Sequence, residues 1–216
     1  MNWFITATQA EEAVHGLEER GYVYLPDCSE DFLHEFIRLL GHVVYITDVT
    51  VKEGSRALVT SERGLNLHTD HPLVEYIVWY CYRQCDEGGE SLVLDPLQAY
   101  LALSSEHQRA LREIRLYQHK VFPDDPDSFP LVSEENGRIR FYYSFWLTNE
   151  KDKQNPAFID FISHLRRLEP IKIKLKSRDI LAIDNLRMLH GRTPIMGNKD
   201  RFLKRFWIMK KPKTCA

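Results

Sequence analysis

The order of apolar and polar residues along the chain predicts a helical start ahead of a β-rich body. A first helix is expected over 8–20, because Thr8 and Glu11 have the spacing of a capping box and Gly21 is placed to end the helix. The alternating residues 22–25 that follow are typical of a strand.

A second helix is expected between a capping Ser29 and a terminal Gly41. Its apolar residues recur at the spacing of one buried stripe, which is made of Phe32, Leu33, Phe36, Ile37 and Leu40. We therefore expect residues 1–41 to form a helical flank.

Beyond Gly41 the chain is rich in short apolar, β-branched and aromatic segments that are separated by turn residues. Many short strands of this kind favour a sandwich or a barrel. Asn136 and Gly137 form a strong hairpin signal. Strands are expected at 42–51, 73–82, 91–95, 116–122, 139–147, 170–176, 179–184 and 202–209.

Two helical stretches interrupt the strands. One begins near Asp95 and Pro96, restarts at Ser104 or Ser105 and runs to about 115; the other runs from 155 to 168. The segment 122–130, which contains three prolines and three aspartates, is expected to be an irregular, exposed loop.

Composition limits the function classes. The 216 residues include 29 Lys and Arg against 31 Asp and Glu, so the formal net charge is −2, and no basic surplus exists for nucleic acid or anionic membranes. No apolar run approaches the roughly 20 residues of a membrane span. With 44% apolar residues, one core is sufficient, and we expect a single domain over 1–216.

No secretory signal is legible at the start of the sequence, and we expect a cytoplasmic protein. Cys28, Cys81, Cys85 and Cys215 are too few and too irregularly spaced for a disulfide framework. We interpret Cys81 and Cys85 as buried free thiols on an apolar strand, because a metal site would need a second pair.

Three strings carry candidate chemistry, and the first is 66–70. On a strand, side chains two residues apart share a face, so His68 and Asp70 would present an imidazole and a carboxylate to one point. Such a pair plus a distant histidine suits a non-haem Fe(II) with open positions. Taken alone, the pair is also compatible with surface polar residues.

The second string follows an apolar strand that ends at Asp184 and Asn185, and it contains His190 just before Gly191. A glycine there would allow a ligand to approach closely. Taken alone, His190 is more typical of a structural histidine in the core.

The third string is 201–209, where alternation puts Arg201, Arg205 and Trp207 on one face of a strand that is apolar on both faces. A buried guanidinium needs an anionic partner. A dicarboxylate held by arginine is one such partner, and a salt bridge within the protein is the other.

Together these strings resemble the Fe(II)- and 2-oxoglutarate-dependent dioxygenases of the taurine dioxygenase, clavaminate synthase and γ-butyrobetaine hydroxylase superfamily. The resemblance runs from about Gly21 to the carboxyl terminus and rests on four short motifs. They are His68-Thr69-Asp70, Gly88-Gly89-Glu90-Ser91, Asp184-Asn185 with His190-Gly191-Arg192, and Arg201-Phe202-Leu203-Lys204-Arg205.

The resemblance implies a fold and a set of roles. The fold would be mainly β with flanking helices, a double-stranded β-helix or distorted jelly roll like that of clavaminate synthase. His68, Asp70 and His190 would be the iron ligands, while Arg201 and Ser91 would bind 2-oxoglutarate. Arg205 would contact either the cosubstrate or the substrate's anionic group.

The implied reaction consumes O2 and 2-oxoglutarate, releases succinate and CO2, and hydroxylates an unactivated C–H bond of a small molecule, with desaturation and cyclisation left open. Related halogenases have Ala or Gly where this chain has Asp70, so the carboxylate favours hydroxylation. The sequence is shorter than that of typical members, and we expect no separate amino-terminal zinc module of the kind seen in γ-butyrobetaine hydroxylase.

For the substrate we expect an amino acid or an amine, contacted by residues such as Asn66, His71, Trp146 and Arg205. Tyr80 and Tyr82 are further candidates for the cavity wall. A lid is expected over 119–150. Within it, residues 124–135 contain five carboxylates, with Lys120 and Arg138 near the ends of that stretch, and they would attract a cation. These carboxylates are Asp124, Asp125, Asp127, Glu134 and Glu135.

Two other functions stay open. One is a β-helix module that binds a metal or a small acid without turnover, although burying three metal-ligand residues together with Arg201 would be unnecessary for folding alone. The other is a zinc hydrolase, which would lack an evident general base and would leave Arg201 unexplained. The oligomeric state is not predicted.

Overall fold

The computed structural model describes residues 7–52, 54–55, 57–117 and 121–210. Its helices, in chain order, are α1 (Ala7–Arg20), α2 (Glu30–Leu40), α3 (Leu97–Leu101), α4 (Ser105–Glu113), α5 (Glu150–Lys153) and α6 (Pro156–Leu165). Its strands are β1 (Tyr22–Leu25), β2 (His42–Thr50), β3 (Leu65–His68), β4 (Tyr76–Arg83), β5 (Glu87–Gly88), β6 (Ser91–Leu94), β7 (Arg115–Tyr117), β8 (Ser128–Pro130), β9 (Val132–Glu135), β10 (Arg138–Phe141), β11 (Ile171–Ile173), β12 (Ile180–Asp184), β13 (Leu189–Arg192), β14 (Ile195–Met196) and β15 (Phe202–Met209).

Two antiparallel sheets form a jelly roll. The larger sheet has the order β1-β12-β4-β15-β2, and the smaller has the order β11-β6-β13-β3. Neighbours within each sheet come from distant parts of the sequence, so the sheets bring together segments that no local pattern connects. Shorter pairs, β7 with β8, β9 with β10 and β5 with β14, lie outside these sheets.

The apolar residues divide into three cores. The core between the sheets includes Ile77, Val93 and Leu203. The outer face of the larger sheet packs against α1 and α2 through residues such as Phe36 and Phe206. A third core joins α3, α4 and α6 to β9, β10 and the outer side of the smaller sheet.

The amino-terminal prediction is largely confirmed. The Ser29 hydroxyl accepts a hydrogen bond from the Phe32 amide at 3.1 Å, and all five residues of the predicted apolar stripe in α2 are buried. Gly21 follows α1 in the left-handed region, with φ of 82°. Thr8 lies within α1, so the predicted capping box is wrong.

Several predicted boundaries are wrong. The strand expected over 139–147 ends at Phe141, after which the chain forms a 3₁₀ turn at Phe145–Leu147. The loop expected over 122–130 contains strand β8, because its last residues pair with β7. Of the strand predicted at 116–122, residues 118–120 lie outside the described part of the chain.

The predicted hairpin at Asn136 and Gly137 joins β9 to β10, and both residues have the positive φ that such a turn requires. The thiols of Cys28, Cys81 and Cys85 are buried and free, as expected for core cysteines, while Cys215 lies outside the described residues. Within the described residues, no helix combines the length and the apolarity that a membrane crossing needs.

Candidate metal centre

Three side chains that could ligate a metal converge at the smaller sheet, on or just after its strands β3 and β13. His68 ends β3, Asp70 follows two residues later, and His190 lies on β13 directly opposite His68 in the strand register. One ligand atom from each residue lies within 4.8 Å of the others. Among the described residues no other group of three His, Cys, Asp or Glu side chains meets this condition.

The two imidazoles face the carboxylate of Asp70 through their Nε2 atoms. His68 Nδ1 lies 2.8 Å from the Asn66 carbonyl oxygen, so Nδ1 is the donor of that bond and Nε2 is the atom that faces Asp70. Burial, with a smaller effect from His68, lowers the pKa of His190 to about 3. His190 Nδ1 is buried and has no hydrogen-bond partner among the described residues.

Asp70 is fixed by three hydrogen bonds. Its Oδ2 accepts from Arg205 Nη1 and from Trp207 Nε1, both at 2.9 Å, and its backbone amide donates to Asn185 Oδ1 at 2.7 Å. Burial acts to raise the pKa of the Asp70 carboxyl, but Arg205 and the two imidazoles outweigh burial and hold the pKa well below its usual range. Asp70 is therefore ionised, and its Oδ1 lies 3.6 Å from His68 Nε2.

Asn185 has a positioning role that sequence analysis missed. It is fully buried, and its Nδ2 donates to the carbonyls of His71 and Val74 at 3.1 and 2.9 Å. Together with the bond to the Asp70 amide, these contacts fix the turn that carries the carboxylate. The motif contained Asn185, but only the fold reveals which backbone groups it satisfies.

Gly191 permits the close contact between the strands of the two histidines. A Cβ atom at this position would lie 2.6 Å from the Leu65 carbonyl oxygen of β3. The sequence analysis associated this glycine with the approach of a ligand, whereas the group that approaches is the neighbouring backbone.

A small space, which we call the inner cavity, lies beside His190 and has a volume of about 40 Å³. Ser91, Arg201 and Arg205 are among its lining residues. Arg201 Nε donates to Gln84 Oε1 at 3.1 Å, and Arg201 forms no ion pair with a carboxylate among the described residues. Burial, with a smaller effect from Arg192, lowers the pKa of Arg201 to about 10, so this buried side chain is a cation at neutral pH.

A larger space of about 500 Å³, which we call the outer chamber, opens on the other side of the metal-ligand residues. His68, Asp70, Arg205 and Trp207 line it, together with residues of the predicted lid such as Trp146. Arg205 therefore lines both spaces, and its guanidinium lies 5.2 Å from the centroid of the Trp207 ring.

The residues expected at the substrate have different locations. The Trp146 and His71 side chains line the outer chamber, whereas Asn66 is exposed on a separate surface groove. Tyr80 and Tyr82 belong to the core under α1 and α2, where the Tyr80 hydroxyl donates to the Cys28 carbonyl at 3.0 Å. The prediction that they line the cavity is wrong, because these even-numbered residues of β4 face α1 and α2 on the outer side of the larger sheet.

Asp125 differs from the expected exposed acid of the lid. It is buried, and its Oδ2 accepts hydrogen bonds from His71 Nε2 at 2.9 Å and from the Val121 and Phe122 amides at 2.8 Å. His71 Nδ1 in turn accepts from the Leu73 amide at 3.2 Å. Asp125 thus anchors residues 121 and 122 to His71, and its carboxylate is buried where the prediction required an exposed one.

Two other lid carboxylates also have partners within the chain. Glu134 lies 3.2 Å from Arg112, and Glu135 lies 3.8 Å from Arg140. Asp124 is exposed, and Lys120 lies outside the described residues. The number of carboxylates in the sequence of this segment therefore overestimates the number that are exposed and without a partner after folding.

Comparison with known proteins agrees with this geometry. Residues 2–207 match the family described as taurine catabolism dioxygenase TauD, TfdA. Clavaminate synthase 2 of Streptomyces clavuligerus is 30% identical over 173 residues, which cover 69% of this chain and 51% of that protein. The chain thus spans about half the length of the curated relative that it matches.

Solved structures have the same fold. An asparagine oxygenase in complex with Fe(II), 2S,3S-3-hydroxyasparagine and succinate has a TM-score of 0.75 and 15% identity, covering 94% of this chain and 80% of that one. The non-haem iron oxygenase OrfP, in complex with Fe and α-ketoglutaric acid (2-oxoglutaric acid), has a TM-score of 0.75 and 18% identity, covering 96% and 81%.

Proposed function

The chain belongs to the taurine catabolism dioxygenase TauD, TfdA family, and from that premise we propose that it is an Fe(II)- and 2-oxoglutarate-dependent oxygenase that hydroxylates a small molecule, an amino acid or an amine. The observation that carries the proposal is the convergence of His68, Asp70 and His190 on one point beside a buried, cationic cavity. Hydroxylation is the expected outcome because position 70 is a carboxylate.

The donor set fits Fe(II). Two imidazoles and one carboxylate form the combination typical of non-haem iron sites with open positions. A metal would also give His68 Nε2 a partner and would offset the buried charge of Asp70. His68, Asp70 and His190 would therefore hold the iron.

The inner cavity fits the cosubstrate. Arg201 is a buried cation without a carboxylate partner among the described residues, and such a group needs an anion. A carboxylate of 2-oxoglutarate would supply it, with the Ser91 hydroxyl as an additional donor. Arg205 already pairs with Asp70, so we assign it two tasks: holding that carboxylate and contacting an anionic group of the substrate in the outer chamber.

The outer chamber is the proposed substrate site. Residues 121–147 contribute Val121, Tyr142, Ser144, Trp146 and Leu147 to its wall, which supports a lid function for 119–150. The Ser144 hydroxyl is buried without a hydrogen-bond partner among the described residues, so a polar group of the substrate would satisfy it.

The bound iron and 2-oxoglutarate would supply the oxidising power for the C–H bond, with succinate and CO2 as coproducts. The protein's part would be to orient the substrate with Arg205, keep Asp70 ionised, and exclude water with the lid. A cytoplasmic location and the absence of nucleic-acid partners stay predictions.

The test is an anaerobic calorimetric titration with Fe(II) and then 2-oxoglutarate, followed by aerobic measurement of succinate release against an amino-acid and amine library. We expect one metal and one cosubstrate per chain and succinate release that a substrate stimulates. Binding of both ligands without turnover with any compound would favour a non-catalytic binding module, and absence of 2-oxoglutarate binding by the iron-loaded protein would reject the proposal.

A further inference from the structure

Arg192 is a second buried arginine near the metal centre, and neither the motifs nor the proposed reaction gives it a task. It ends β13, two residues after His190, and it forms no ion pair with a carboxylate among the described residues. Burial lowers the pKa of its guanidinium. A buried cation without an anion must be stabilised by other polar groups.

Those groups are backbone carbonyls of one short segment, residues 57–63. The Arg192 guanidinium donates to the carbonyl oxygens of Ser61 and Arg63 at 2.7 and 2.6 Å, and it lies 3.2 and 3.4 Å from those of Val59 and Leu58. A planar guanidinium with several N–H donors suits such an array, whereas a lysine ammonium has only three donors on a flexible stem.

Segment 57–63 borders both spaces of the site. Val59 lines both the inner cavity and the outer chamber, and Ala57 and Leu58 line the chamber. The segment contains a single 3₁₀ turn, Leu58–Thr60, so its own backbone bonds do little to hold it in place.

Backbone bonds also attach the segment to the rest of the fold. The Lys52 amide donates to the Thr60 carbonyl and the Ile195 amide donates to the Glu62 carbonyl, both at 2.8 Å. The exposed side chains of Lys199 and Glu62 form an ion pair, and an exposed pair of this kind contributes little stability. Arg192 adds four bonds from a single buried side chain.

We propose that Arg192 is a positioning residue that ties segment 57–63 to the strand of the metal ligand His190, and that it thereby sets the shape of both the inner cavity and the outer chamber. The tie itself follows from the hydrogen bonds, while its consequence for cosubstrate and substrate rests on the proposed function. We expect the binding of metal alone not to depend on this tie, because the Arg192 guanidinium bonds to carbonyls of segment 57–63 and not to the three ligand side chains.

The experiment compares Arg192→Met, Arg192→Lys and Lys199→Met with the wild-type chain. Arg192→Met keeps the apolar stem and removes the N–H donors. Arg192→Lys keeps the charge and loses the planar guanidinium. Lys199→Met removes the exposed ion pair with Glu62. Amide hydrogen exchange reports the attachment of the segment at Thr60 and Ser61, whose amides bond to Ala57 and Leu58. Calorimetry reports Mn(II) binding and, with Mn(II) present, 2-oxoglutarate binding.

We expect both Arg192 variants to exchange the Thr60 and Ser61 amides about tenfold faster or more, and Lys199→Met to stay close to wild type. Mn(II) affinity should change less than about twofold in all three, while 2-oxoglutarate affinity should fall in both Arg192 variants. If Arg192→Met does not fold, the Arg192→Lys result decides the question.

Wild-type exchange at Thr60 and Ser61 in Arg192→Met, or in Arg192→Lys if the Met variant does not fold, would overturn the tie, because the planar guanidinium would then not be needed to hold the segment. Faster exchange with unchanged 2-oxoglutarate affinity would overturn its role in shaping the cavity. If the wild-type chain itself bound no 2-oxoglutarate, the proposed function would fail, while the exchange comparison would still decide whether Arg192 holds the segment.

Discussion

His68 and His190 lie opposite each other on adjacent antiparallel strands, and their ring centroids are 4.3 Å apart. The backbone hydrogen bonds between β3 and β13 therefore set the separation of two metal-ligand residues. Asp70 completes the group from the turn after β3, where Asn185 fixes its amide. The candidate metal site is thus held mainly by the sheet and by one buried asparagine.

Replacing His190 by Ala should abolish Fe(II) binding and 2-oxoglutarate turnover without unfolding the chain. The imidazole is buried with an unsatisfied Nδ1, so its loss removes little that stabilises the fold. Calorimetry, succinate release and thermal unfolding measure the three effects. The same result is expected for His68→Ala and Asp70→Ala, and wild-type turnover in His190→Ala would reject the ligand assignment.

Replacing Arg201 by Ala should greatly weaken 2-oxoglutarate binding. Loss of a buried charge-assisted pair costs about 2 to 5 kcal/mol, which is roughly thirtyfold to several thousandfold in affinity. Ser91→Ala should cost about 1 kcal/mol, as for a neutral hydrogen bond. Arg83→Ala is a matched control, because Arg83 is an exposed arginine paired with Asp200. Equal affinity in wild type and Arg201→Ala would contradict the cosubstrate site.

Asp125 should matter for the lid much more than its neighbour Asp124. Asp125→Ala leaves the Val121 and Phe122 amides and His71 Nε2 without their acceptor, at a cost of about 2 kcal/mol or more in unfolding free energy. Asp124→Ala, at an exposed position, should stay within about 0.5 kcal/mol. Chemical denaturation measures both values, and uncoupled 2-oxoglutarate decay should rise only in Asp125→Ala. Equal stability of the two variants would show that the anchor is unimportant.

The contribution of Asp125 should disappear in acid. Burial acts to raise the pKa of its carboxyl, but the Phe122 and Val121 amides and His71 outweigh burial, so the pKa is lowered in the folded chain. The unfolded chain, with a pKa near 4, then takes up its proton first as the pH falls. The stabilisation is therefore complete above the unfolded pKa and is lost as the pH falls toward the folded pKa.

The check on this pH dependence is the difference in unfolding free energy between wild type and Asp125→Asn, measured from about pH 7 down to about pH 3. The difference should be largest near neutral pH and should shrink below about pH 4. A difference that stays constant over this range would mean that the charge of Asp125 does not stabilise the lid.

Local sequence patterns predicted the helices and strands near each motif. They predicted much less of how these elements pack against one another. The two-residue spacing placed His68 and Asp70 correctly relative to each other, and alternation placed Arg205 and Trp207 on one face of β15. The prediction that Tyr80 and Tyr82 line the cavity is wrong. Alternation separates the residues of a strand into two faces, but it does not tell which face lies between the sheets. Only the packing of α1 and α2 decides that question.

Contacts between distant segments explain what the sequence could not predict. Asp125 and His71 are 54 residues apart, and an acidic, proline-rich segment gives no sign that one of its carboxylates is buried. The partners of Arg192 are backbone carbonyl oxygens. Every residue has a carbonyl oxygen, so no pattern of residue types can predict these partners. A family motif contained Arg192, but only the fold assigns it a contact.

The division of the site between sheet and lid has a consequence for protein engineering. The metal-ligand residues stand on or beside paired strands, while much of the outer chamber's wall comes from residues 121–147. A graft of 128–147 from a relative would replace that wall and leave every proposed iron and cosubstrate contact in place. Such a chimaera should keep the anchoring hydrogen bond between Asp125 and His71. Substrate preference could then be exchanged together with this one segment.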